Sequence, residues 1–207
     1  MWVAALLVAV NGYLLGNLNG AVSISRLFSK KDVREHGSKN AGLTNFIRIY
    51  GPTNAILVVG IDMLKALIAC IIGKLLLDPY GQGLMGLLVG GLAVSVGHDF
   101  PALLGFRGGK GVLCGITVAL AADWQCALPV LVMFIASLLL TRYVSLGSIL
   151  GALTFAILFP LRHANNLKVA GLGVVLGALI IFMHRGNISR LIKGTERKIS
   201  FKRSNHH

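Results

Sequence analysis

A chain of 207 residues that is 55% hydrophobic and only 13% charged, with a mean hydropathy of +0.77, is not an ordinary soluble domain, because such a domain carries roughly a quarter charged residues. The net charge of +13 invites a nucleic-acid partner, but the 20 Lys and Arg cluster in short segments between long uncharged runs. That is how juxtamembrane loops facing an anionic leaflet are built, so membrane lipids and no nucleic acid are the expected partners.

The first apolar run covers residues 2–25 and carries no charge. It lacks the positive start of a secretory signal and is long enough to span, which takes about 20 residues. It is expected to be a retained first helix with its N-terminus outside. Further runs follow at 53–77, 84–104, 111–122, 124–141, 143–161 and 168–184. The run 111–122 is short, and only Asp123 separates it from its successor, so 111–141 could also be one long helix.

Charge distribution separates the two counts. With seven spans and the N-terminus outside, 16 of the 20 cations lie on the cytoplasmic side and only Arg162 and Lys168 lie outside. With six spans the basic tail after residue 184 would fall opposite the basic loop at 26–48, against the positive-inside rule. The expected fold class is thus an all-α integral membrane protein of seven transmembrane helices. Its C-terminus is cytoplasmic, and a short helix lies near 111–122. It forms one polytopic domain over 1–205, with His206 and His207 read as a tag remnant. Cys70, Cys114 and Cys126 sit in apolar runs without metal-ligand spacing and are expected to be small buried hydrophobes.

The cytoplasmic segments hold the unusual residues. The first runs His36-Gly37-Ser38-Lys39-Asn40-Ala41-Gly42-Leu43-Thr44-Asn45, with Arg48 beyond it. Its glycines, hydroxyls and amides suit a backbone that turns N–H groups toward an anion, or a polar linker into an interfacial helix. Arg48 and Asn45 are at helical spacing and could face one ligand. The second runs Gly97-His98-Asp99-Phe100-Pro101 and then Phe106-Arg107-Gly108-Gly109-Lys110-Gly111. Three glycines around one lysine let amides approach a phosphate while Lys110 supplies charge. It is not a Walker loop, since Leu104 and Gly111 stand where that motif needs Gly and a hydroxyl. The third runs His184-Arg185-Gly186-Asn187 with Glu196 downstream, and His184 and Asn187 share a helical face. Inside the second span, Asp62 and Lys65 are at pairing distance along a helix. Either a structural ion pair or a catalytic role would justify charges there. No metal site and no His-x4-Asp dyad is visible.

In this order the three segments resemble the bacterial acyl-phosphate-dependent glycerol-3-phosphate acyltransferase family (PlsY). Gly37–Asn45 with Arg48 is similar to its first motif. Gly97–Pro101 and Phe106–Val112 are similar to its second, and His184–Ile188 with Gly194–Glu196 to its third. Asp62 and Lys65 also fit. The resemblance runs along essentially the whole chain. It departs at Lys39 (Gly in the family), Leu43 (Ala), Gly186 (often acidic) and Asn17-Leu18-Asn19 (usually Ser-Ile-Pro).

The resemblance implies acyl transfer from acyl-phosphate to the 1-hydroxyl of glycerol 3-phosphate, giving lysophosphatidic acid and phosphate without cofactor or metal. It implies a multi-pass protein of the bacterial cytoplasmic (inner) membrane, fed by a peripheral acyl-phosphate-forming enzyme. Ser38, Arg48, Lys110, His184 and Asn187 would bind both phosphates and orient the hydroxyl. Asn40, Thr44, Asn45, Arg107, Gly108, Gly109, Gly111 and Glu196 would contribute to substrate binding, and Asp62, Lys65 and His98 would support them. The proton acceptor is open between His184 and a substrate phosphate oxygen. A small transporter or flippase for organic phosphates is the alternative from another class, and would use the same basic pockets without covalent chemistry.

Overall fold

The computed structural model describes residues 1–199; Lys202, Arg203 and the two terminal histidines lie outside the described residues. The described residues form α-helices joined by short turns, with no strand among them. The first apolar run is not one helix. Helix α1 (Trp2–Gly16) stops at Asn17, and α2 (Gly20–Ser29) starts after Asn19. The break is built from the two asparagines. Asn19 Oδ1 accepts from Val22 N at 3.0 Å as an N-cap, while its amide donates to Ala41 O at 3.0 Å. Asn17 donates to Tyr13 O and accepts from Leu103 N. The departure from Ser-Ile-Pro thus ties the first span to both of the loops that follow it.

A short amphipathic helix, α3 (Leu43–Tyr50), precedes the long α4 (Ala55–Leu77), and α5 (Gly83–Asp99) runs back beside it. Small residues let α4 and α5 touch backbone to backbone: a methyl at Gly73 or Gly86 would run into the other's carbonyl oxygen. Such contact is the usual way helices pack where lipid offers no hydrophobic drive. Next come α6 (Val112–Ala122) and α7 (Trp124–Thr141). Asp123 separates them and caps α7 by accepting from Gln125 N at 3.0 Å, so 111–141 is not one helix. The chain ends in α8 (Val144–Arg162), α9 (Leu167–Met183) and α10 (Arg185–Ile192), the last bent 56° from α9 at His184.

Five helical stretches are long and apolar enough to cross a bilayer: Trp2–Ser29, Ala55–Tyr80, Gly83–Leu104, Trp124–Thr141 and Val144–Arg162. The bent α9–α10 pair makes six. The seventh expected span is α6, whose 11 residues rise only about 16 Å against a hydrocarbon core of about 30 Å. One apolar core joins α4 to α9 through residues such as Leu88, Val118, Phe155 and Leu176. A second packs α2, α3 and α4 around Val22, Phe46 and Val58. Cys70, Cys114 and Cys126 are buried and free, as expected of small apolar fillers.

Candidate active site

At one end of the helices the three unusual segments converge on a cavity of about 680 Å³. Every site residue expected from the sequence borders it except Lys65. The first loop is held in shape by Asn45, whose side chain is buried at the start of α3. Its Oδ1 accepts from Ser38 N at 2.9 Å, and its amide donates to Val33 O, His36 O and Asn40 O. The carboxamide is therefore spent within the loop, and Asn45 shapes the wall of the cavity. The hydroxyls of Ser38 and Thr44 make no hydrogen bond among the described residues and face the cavity with Arg48. Lys39 takes a left-handed turn (φ 57°) and points outward, exposed and away from the lining.

The second loop is sewn to the first. Ala41 N donates across to Gly108 O at 3.3 Å, and within the second segment Gly109 N donates to His98 O at 3.0 Å. Arg34, which the motif reading passed over, spans both: its guanidinium pairs with Asp32 at 2.8 Å and donates to Leu104 O and Arg107 O. That hydrogen bonding holds the Asp32 carboxyl well below the usual range. The Asp-x-Arg spacing was the available signal. Gly111 closes the turn in the left-handed region (φ 65°), which favours glycine, and leads into α6.

The third segment completes the site. Lys110 Nζ hydrogen-bonds Asn187 Oδ1, and Asn187 Nδ2 donates to Glu196 Oε1 at 2.6 Å. Glu196 also accepts from Ser145 at 2.8 Å and pairs with Arg190 at 2.6 Å. Burial pushes the Glu196 carboxyl up, but the hydrogen bonds from Asn187, Ser145 and Arg190 outweigh it and hold the group below its ordinary value. Burial lowers the Lys110 ammonium to about 8, with Arg190 and Arg48 adding to it and Glu196 and Asp99 opposing. His184 is buried at the α9–α10 bend, with Nδ1 2.8 Å from Ile180 O. A carbonyl only accepts, so Nδ1 carries the hydrogen and Nε2 keeps a lone pair.

Beneath the loops, Asp62 and Lys65 form the expected ion pair at 2.9 Å, only 1% and 3% exposed. His98 Nδ1 stands 2.8 Å from the same lysine nitrogen. Asp99, part of the second motif but given no role from sequence, is buried on the lining behind Gly111, and neither carboxylate oxygen has a partner among the described residues. Leu113, Phe134, Val144 and Met183 give the cavity an apolar side.

Comparison with known proteins places this chain in a family. The family model described as glycerol-3-phosphate acyltransferase matches residues 6–194. The chain belongs to the glycerol-3-phosphate acyltransferase family. A relative of that name from Thermoanaerobacter pseudethanolicus is 39% identical over 198 residues, covering 96% of this chain and 97% of its own. Two crystal structures of PlsY (YgiH), an integral membrane glycerol 3-phosphate acyltransferase, are 34% identical and superpose closely. The glycerol 3-phosphate form has a TM-score of 0.84 over 95% of this chain and 96% of that one. The lysophosphatidic acid form has a TM-score of 0.81 over 95% of each. Family membership makes this an integral membrane acyltransferase.

Proposed function

We propose that this chain moves an acyl group from acyl-phosphate to the 1-hydroxyl of sn-glycerol 3-phosphate, giving lysophosphatidic acid and inorganic phosphate. The observation that carries the reading is the single cavity that joins Arg48, Lys110, the Gly108–Gly111 turn, His184 and Asn187 to an apolar wall. Two phosphates require several cations and free amides, and an acyl chain requires apolar cover. Structures of similar proteins in glycerol 3-phosphate and lysophosphatidic acid forms support the two ends of the reaction.

Acyl-phosphate is already activated, so positioning and charge stabilisation suffice. The hydroxyl oxygen attacks the acyl carbon, a new C–O bond forms, and the bond to the phosphate oxygen breaks with phosphate leaving. His184 Nε2, whose lone pair is fixed by the Ile180 contact, takes the hydroxyl proton. Ser38 Oγ lacks a histidine partner among the described residues, which supports direct transfer over an acyl-serine. Arg48, Lys110 and the glycine amides hold the phosphates, and Asn187 and Glu196 hold Lys110 in place.

The topology read from charge belongs to this proposal too: seven crossings, N-terminus outside, site toward the cytoplasm of a bacterial inner membrane. Support comes from how the loops group. Gly111 at one end of α6 joins the cavity, while Asp123 at its other end pairs with Arg162 at 2.8 Å and lies 3.1 Å from His163. A soluble donor-forming enzyme docking on the cytoplasmic face would supply the acyl-phosphate. The test gives purified protein acyl-phosphate and labelled glycerol 3-phosphate. Lysophosphatidic acid and phosphate should appear one for one, and in a parallel run with acyl-labelled acyl-phosphate no label should stay on the denatured protein. Formation of product only from an acyl thioester, or an acylated Ser38, would sink the proposal.

A further inference from the structure

His98 is the last residue but one of α5, and its ring lies between α4 and the glycine turn. Its Nδ1 is 2.8 Å from Lys65 Nζ and 3.5 Å from Asp62 Oδ1. The same lysine nitrogen pairs with Asp62 at 2.9 Å and donates to Gly16 O at 3.3 Å and to Leu18 O. An ion-paired lysine has hydrogens to give and no lone pair. The three ammonium hydrogens are shared among four acceptors, and the 2.8 Å contact with Lys65, shorter than the 3.5 Å to Asp62, makes Nδ1 the acceptor and leaves the ring hydrogen on Nε2.

That second nitrogen faces the glycine turn. A methyl group on Gly109 would strike Nε2 and lie 2.8 Å from Cδ2 of the same ring. His98 Nε2 makes no hydrogen bond among the described residues, and the ring borders the cavity beside Gly108, Gly109 and Lys110. The protein thus spends a buried ion pair on fixing which edge of one imidazole is the donor, and aims that edge at the turn built for an anion. A partner hydrogen-bonded to one ring nitrogen commonly sets the working state of the other in this way.

We infer that His98 is a phosphate-binding residue. The Asp62–Lys65 pair holds its ring with the hydrogen on Nε2, and this N–H donates to a phosphoryl oxygen seated on the Gly108–Gly111 turn. The inference rests on the reading of that turn given under Proposed function. The phosphoryl group is that of glycerol 3-phosphate or that of acyl-phosphate.

Two substitutions separate the edges of the ring. In His98→Asn the amide oxygen can still accept from Lys65, but no donor reaches Gly109. In His98→Gln the amide nitrogen stands near the place of Nε2. The expected result is a loss of about ten- to a hundredfold in kcat/KM for Asn, and a loss within about threefold for Gln. The KM that rises in the Asn variant, for glycerol 3-phosphate or for acyl-phosphate, names which phosphate is held. If His98 served only to accept a hydrogen bond from Lys65, Asn would retain activity at least as well as Gln, and that order overturns the inference. So does a fall in kcat with both KM values unchanged.

A binding measurement needs no turnover and no stable variant. In wild-type protein carrying 15N-histidine, the His98 ring should show Nδ1 bare and Nε2 protonated. Inorganic phosphate should move the Nε2 resonance. A ring protonated at Nδ1, or one indifferent to phosphate, overturns the inference. A ring that responds in protein unable to make lysophosphatidic acid would overturn the proposed reaction and leave this site standing.

Discussion

Lys110 is the residue at which charge, burial and pH meet. Its ammonium lies near 8 because burial withdraws water, so the free site loses this cation as pH rises through that value. A bound phosphate favours the charged form, and the effect therefore belongs to the free enzyme. For glycerol 3-phosphate, kcat/KM should fall above about pH 8 while kcat at saturation changes less. Lys110→Arg, which stays charged, should remove that fall even at a lower plateau, and pH profiles of both proteins decide the matter. Lys110→Ala should cost about 10²–10³-fold in kcat; full activity in that variant would mean the turn is not the anion site. Lys39 offers the contrasting case. It carries a side chain at φ 57° and touches nothing in the cavity. That conformation costs an L-residue roughly 1–2 kcal/mol, of which glycine's extra unfolded-state freedom returns about 0.5–1. Lys39→Gly should raise the melting temperature slightly in detergent and leave KM for both substrates alone.

Among the elements, the first span shows what a hydropathy reading can and cannot see. Residues 2–25 carry no charge, so a window averages across Asn17 and Asn19 and sees one helix. The break depends on where two amides find partners, Ala41 O and Leu103 N, which are distant in sequence. Asn19→Ala removes an N-cap and the tie to the first loop together. It should cost about 1–2 kcal/mol and raise KM for phosphate-bearing substrate, because Ala41 in turn anchors Gly108. Thermal unfolding and steady-state kinetics on one preparation would show both losses; a stability loss with unchanged KM would confine Asn19 to the fold. The motif residues were legible because their chemistry is out of place in apolar surroundings: Ser38, Arg48, Lys110, His184 and Asn187 do share one cavity. The Lys65–His98 contact was not, since it exists only through α4–α5 packing. Asn45 was legible as polar but not as a brace, because spacing shows which residues are near and not which lone pairs are already taken.

At the scale of the whole molecule, the loops sort into two sets. Residues around Ser38, Lys110, Arg142 and Glu196 are joined at one end by contacts such as Ser145–Glu196 and Ile199 N to Arg142 O. Asp123, Arg162 and His163 are joined at the other, beside a second cavity of about 220 Å³ that includes Gln82 and Asn166. On the proposed topology a chain that alternates between the two ends through α6 crosses seven times, although the 11 residues of α6 are too short to span alone. Before α6 the loop from Phe100 to Gly111 runs from the exposed Leu103 to the buried Gly109 and, on that topology, supplies the rest of the crossing. Non-helical backbone at membrane depth is tolerated only where protein or a watery cavity surrounds it, a condition that the buried Gly109 and the cavity beside it would meet. Cysteine labelling in oriented vesicles tests this directly, because the three native cysteines are buried and react slowly. Single cysteines at Lys39 and Lys193 should react with an impermeant maleimide from the cytoplasmic side, and one at Asn165 only from the opposite side. Labelling of positions 39 and 165 from the same side would remove α6 as a crossing and, with it, the seven-span topology.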